Sequence, residues 1–155
     1  MYPQTYFLVS LLIGVIATKF HFLTLPQAFA AAAIAALIDL DHFASAWYAS
    51  RNARTAWRNA LDTNLEDTFL HSWKGFALFA VVKGGVLAFS KPWALVLAIA
   101  YWSHLFLDTI HVLLRDAAQK RFAMTDANFA IRAVIAELTL SVFSLLMSVL
   151  YLKFA

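Results

Sequence analysis

The sequence predicts an all-α polytopic membrane bundle of about five transmembrane helices, with an interfacial helical connector, in a single domain over 1–155. Three observations predict it. Hydrophobic residues make up 63% of the chain and charged residues only 14%, more apolar and less charged than an ordinary soluble domain. The apolar residues fall in five runs long enough to cross or nearly cross a bilayer, separated by short polar stretches. The ionisable residues collect at the ends of those runs. With no cysteine, disulfide frameworks, thiolate zinc sites and thiol nucleophiles are excluded, so any metal must sit on nitrogen and oxygen. The net charge of +3 is modest and one-sided, which points to lipid headgroups and topology and gives no reason to predict a nucleic-acid partner.

The first span is expected over 4–20. It carries no charge before Lys19, and a cleaved signal peptide wants a basic region ahead of its apolar run, so the segment is read as mature protein. Pro26 suits the first turn of a second helix over 24–42, whose alanines permit close packing in lipid and which runs into Asp39, Asp41 and His42. Residues 43–64 form the interfacial connector, in which Trp47, Arg51, Arg54, Trp57 and Arg58 interleave aromatic and basic side chains, a pattern suited to headgroups or to a phosphate. Thr63 and Glu66 have capping-box spacing, which predicts a third span over 64–90 with His71 in its second turn and Asp67 four residues before it. Lys83 within this run is expected to snorkel. A fourth span covers 92–114. After a second polar connector, with Thr125 or Asp126 as the cap, a fifth covers 130–152 and carries Glu137 near its start.

Five spans determine which ends share a side. Asp39, Asp41, His42, Asp67, His71, His104, Asp108, His111 and Glu137 all come to one membrane surface, and only His21 of the five histidines lies opposite. Intramembrane ionisable groups mark functional sites. His104 and Asp108 are four apart, and Asp108 and His111 three apart, so all three share a helical face able to join one metal or bridge two. Asp39, His42, His71, His104 and Asp108 are the leading metal ligands, with His111 a further candidate. Asp41 projects about 200° from Asp39 on a regular helix, so either the helix unwinds there or one of the two orients a ligand. Asp41, Asp67 and Glu137 are the candidates for general base or orienting group. Imidazole with carboxylate suits a divalent metal, zinc first, with manganese or iron as alternatives.

The same surface carries Arg51, Arg54, Arg58, Lys74, Arg115, Lys120, Arg121 and Arg132. The positive-inside rule therefore predicts a multi-pass protein of the inner membrane with this side cytoplasmic, and Arg51, Arg54 and Arg58 are placed to hold a substrate phosphate.

The Asp-Leu-Asp-His of residues 39–42, the Leu-His-Ser of 70–72 and the Ser-His-Leu-Phe-Leu-Asp of 103–108 resemble, in order, the motifs of a family of small multi-span membrane-bound metal-dependent hydrolases, distantly similar to zinc-dependent phospholipase C. Ile38 stands where the family often has proline, and of its His-Arg-Gly-x-Thr-His-Ser only His71 and Ser72 remain. An early histidine common in the family has no clear counterpart. The resemblance implies a metal-centred hydrolase whose ligands are the Asp and His of those motifs, and the arginines beside the site point to a phosphoester or phospholipid as its substrate. A non-enzymatic metal-binding membrane protein and an accessory scaffold are the alternatives the residues allow.

Overall fold

A computed structural model describes residues 3–56, 68–122 and 126–154. Among the described residues the chain is mostly helical and has no strand. Its elements are α1 (Pro3–Lys19), α2 (Leu25–Leu37), α3 (Leu40–Ser50), α4 (Trp73–Phe89), α5 (Lys91–Phe122) and α6 (Asp126–Phe154). Three stretches are long and apolar enough to cross a membrane: Leu25–Ser50, Lys91–Leu114 and Arg132–Leu150. α1 is an apolar helix of 17 residues, just under that length, and α4 has the same number. Within the Arg132–Leu150 window only 22% of the residues are buried, and Phe89 and Phe106 are 92% and 64% exposed. Outward-facing apolar surface on this scale is what lipid, and not water, would cover.

α1 is wrapped by α2, α5 and α6, while α2 and α4 each pack on α5. The contact face of α2 is alanine: Ala28, Ala31, Ala32 and Ala35 are fully buried at helical spacing. They let α1 come close enough that a Cβ on Gly14 would lie 2.9 Å from Ala28. Leu11, Val15, Ala28 and Ala32 form one apolar cluster, Leu23, Ala31 and Val96 a second, and Tyr6, Ala35, Ala100 and Leu107 a third. The third lies directly beneath the polar groups described below.

Several boundaries differ from the sequence reading, each for a local reason. α2 ends at Leu37, short of the expected His42, but residues 27–50 contain neither glycine nor proline and the helical path resumes at once. A two-residue turn at Ile38 and Asp39, both with right-handed helical dihedrals, leads straight into α3. The chain turns only at Arg51, in the left-handed region at φ 53°, where the Arg51 guanidinium lies 4.7 Å over the Tyr48 ring. Thr63, Glu66 and Asp67 lie outside the described residues, as do Trp57 and Arg58. Residues 68–72 are not helical, so His71 stands in a turn ahead of α4 and not in the second turn of a helix. The cap of α4 is Ser72, whose side chain accepts from the Gly75 N–H. α5 runs past residue 114 to Phe122, since Leu-Leu-Arg-Asp-Ala-Ala-Gln-Lys-Arg holds good helix formers and no breaker. α6 is described from Asp126, already a helical residue, while Thr125, the position ahead of it, is outside the described residues. His21 sits in the α1–α2 turn with φ 58°, at the other end of α1 and α2 from the remaining histidines.

Candidate metal centre

The α2–α3 junction, the 68–72 turn and the middle of α5 meet at one point. α5 supplies His104 and Asp108 one turn apart, and their side chains approach to 3.2 Å, His104 Nε2 to Asp108 Oδ2. His71 reaches in from its turn, with Nε2 3.0 Å from His104 Nε2 and 3.1 Å from Asp108 Oδ2. Three atoms from three side chains thus form a nearly equilateral triangle. Asp39 Oδ1 stands 3.4 Å from His104 Nε2. The ring of His42 lies 4.5 Å from that of His71, centroid to centroid. Two groups of ligand atoms therefore converge, Asp39–His42–His71 and His71–His104–Asp108, sharing His71.

The hydrogen bonds behind these atoms define what they can hold. His104 Nδ1 is 2.9 Å from the Ala35 carbonyl, which can only accept, so Nδ1 carries the hydrogen and a neutral ring turns its Nε2 lone pair toward the triangle. Asp108 Oδ2 is buried and receives no N–H in hydrogen-bonding geometry, and neither does the buried Nδ1 of His42. His71 Nε2, His104 Nε2 and Asp108 Oδ2 lie 3.0–3.2 Å apart, and Asp39 Oδ1 lies 3.4 Å from His104 Nε2, spacings that protons shared along these contacts or a cation held among the first three atoms would satisfy. Tetrahedral ligands at bond lengths of about 2.0–2.1 Å stand roughly 3.3 Å apart, close to the observed edges, so the donor set fits a small divalent ion.

The turn that carries His71 is itself anchored. The Leu70 N–H donates to Asp41 Oδ2 at 2.6 Å, the Tyr101 hydroxyl donates to the Leu70 carbonyl at 2.9 Å, and Thr68 Oγ1 lies 2.9 Å from His71 Nδ1. Asp41 is thus turned toward the 68–72 backbone, 4.0 Å from His71 Nδ1, and not toward the triangle. Side-chain exposure rises from nil at His104 to 18% at Asp39, which makes the Asp39 side the open side of the cluster. An open apolar recess lined by Val86, Phe89, Trp93 and Leu97 lies at the opposite end of α4, away from these groups.

Of the residues singled out in the sequence, Asp39, His42, His71, His104 and Asp108 come together. His111 stands apart from the converging atoms, with Nδ1 3.9 Å from Glu137 Oε1 of α6. Arg51 and Arg54 are exposed just beyond α3. The residue that sequence reasoning missed is Tyr6. Its ring stacks on the His104 imidazole, centroids 4.0 Å apart, and its hydroxyl donates to Asp108 Oδ1. Nothing in the uncharged first span distinguishes Tyr6 from an aromatic residue facing lipid.

Compared with family models, curated proteins and solved structures, the chain matches none.

Proposed function

We propose that the chain is a membrane-embedded, metal-dependent hydrolase of phosphoester or phospholipid substrates, with about five helices in the bilayer, α1 and α4 included. The inner membrane with the cluster on the cytoplasmic side is the placement the basic residues favour. The reading is carried by the inward-facing triangle of His71 Nε2, His104 Nε2 and Asp108 Oδ2, with the His104 tautomer set by the Ala35 carbonyl.

In this reading His71, His104 and Asp108 hold the ion, zinc before manganese or iron, with Asp39 and His42 completing or extending the ligand set. A divalent ion there lowers the pKa of water toward neutrality and polarises a phosphoryl oxygen. The rest falls to the chain's own groups. Asp41, 4.0 Å from His71 Nδ1, takes the proton that water sheds as its oxygen attacks phosphorus. The bond from phosphorus to the leaving oxygen breaks, and that oxygen takes back the proton that Asp41 accepted. Arg51 and Arg54 offer guanidinium groups to the remaining phosphate charge.

The test is turnover of bis(p-nitrophenyl) phosphate and of phospholipid in mixed micelles by zinc-loaded protein. Asp41→Asn keeps an oxygen to accept from Leu70 but cannot take a proton, so it is expected to retain metal and lose about 10²–10⁴-fold in rate. No turnover by zinc-, manganese- or iron-loaded wild type on either substrate overturns the hydrolase assignment.

A further inference from the structure

Asp108 divides its two oxygens between two environments. Oδ2 faces His71 and His104 at 3.1 and 3.2 Å, whereas Oδ1 accepts the Tyr6 hydroxyl. An ionised carboxylate can hold a metal through one oxygen or through both, and a phenol on Oδ1 leaves only Oδ2 for the ion. Tyr6 is well fixed for this. It is 1% exposed, its ring stacks on His104, and it packs with Ala35, Ala100 and Leu107. The same side chain therefore orients one candidate ligand through its ring and a second through its hydroxyl, and it does so from α1, a helix with no charged side chain before Lys19.

We propose that Tyr6 is a positioning residue that holds Asp108 to a single oxygen, and so favours a small four-coordinate ion such as zinc over ions that take six or more oxygen-rich ligands. This rests on the metal-site reading above and adds the determinant of which metal is preferred.

Tyr6→Phe removes the hydroxyl while keeping the ring on His104 and in its apolar cluster. The experiment uses full-length protein in detergent, with zinc affinity read by competition against a chromophoric chelator. Manganese affinity is read from the paramagnetic resonance of the free ion, and coordination number from the visible absorption of cobalt-loaded protein. The expected result is a loss of about 10–100-fold in zinc affinity, a smaller loss or a gain for manganese, and weaker cobalt absorption as Asp108 takes up both-oxygen binding. Leu140→Ala, which loosens the same apolar cluster from α6, is expected to lower stability without changing the zinc-to-manganese ratio. Equal zinc affinity and equal cobalt spectra in Tyr6→Phe and wild type overturn the proposal, as does a loss that leaves the ratio of the two metals unchanged. A wild type that takes up no metal overturns the metal-site reading itself, an outcome distinct from either.

Discussion

Asp108→Asn is expected to abolish the stabilisation that zinc confers while leaving the metal-free protein nearly as stable as before. The carboxylate contributes a negative charge and a buried oxygen that receives no N–H in hydrogen-bonding geometry. An amide removes the charge and the strong ligand, yet its NH2 can donate to the imidazole nitrogens 3.1 and 3.2 Å away, so the metal-free protein loses little. With free zinc at about 100 times the dissociation constant, binding stabilises the wild type by about 2.7 kcal/mol. A 100-fold weaker variant retains only ~0.4 kcal/mol under the same conditions. If the cluster were instead a structural imidazolium–carboxylate network, the same substitution would break a buried ion pair. It would then cost about 3–5 kcal/mol with or without zinc. Chemical unfolding of both proteins with and without zinc separates the two outcomes.

Gly75→Ala is expected to disable the site from outside it. A Cβ on Gly75 would fall 2.3 Å from the Phe69 carbonyl oxygen and 2.5 Å from the Leu70 Cα. These are backbone atoms, which cannot rotate out of the way as a side chain would. The 68–72 turn must therefore move, and with it His71, whose place depends on the bonds from Leu70 to Asp41 and Tyr101. Overpacking of this kind costs about 1–3 kcal/mol, and the displaced imidazole is expected to lower zinc affinity as well. Gly84→Ala, nine residues along the same helix, is the control. A Cβ there meets nothing within 4 Å, so zinc binding is expected to be unchanged and stability to shift by at most about 1 kcal/mol. Equal zinc affinity in Gly75→Ala and Gly84→Ala would mean that the turn does not position His71.

Much of this site was legible in the residues alone, because it rests on helical spacing and on topology. His104 and Asp108 are one turn apart on α5, and counting apolar runs brings Asp39 and His71 to the same end. The parts that were not legible depend on the backbone between the motifs. Composition suggested that the second helix ends where Asp39–His42 turns polar, but α2 ends at Leu37 and, after a two-residue turn, α3 carries the helical path on to Ser50. Asp41 then faces the 68–72 turn while Asp39 faces His104. The Ser72 cap was not read from the sequence, and the bonds from Leu70 to Asp41 and Tyr101 hold residues 68–72 in their turn ahead of α4. Tyr6 was illegible because α1 is apolar all round, so periodicity does not say which of its residues faces inward.

A metal ion held by the triangle of His71, His104 and Asp108 is the premise from which the hydrolase reading and the role of Tyr6 both follow. Its most direct test is element-resolved metal analysis of the wild type and His104→Ala, both purified in detergent without added metal. Near-stoichiometric zinc, manganese or iron in the wild type and its loss in the variant is the predicted result. Metal absent from both, even after reconstitution with each ion, would contradict it and leave the cluster as a set of polar contacts holding the helices together.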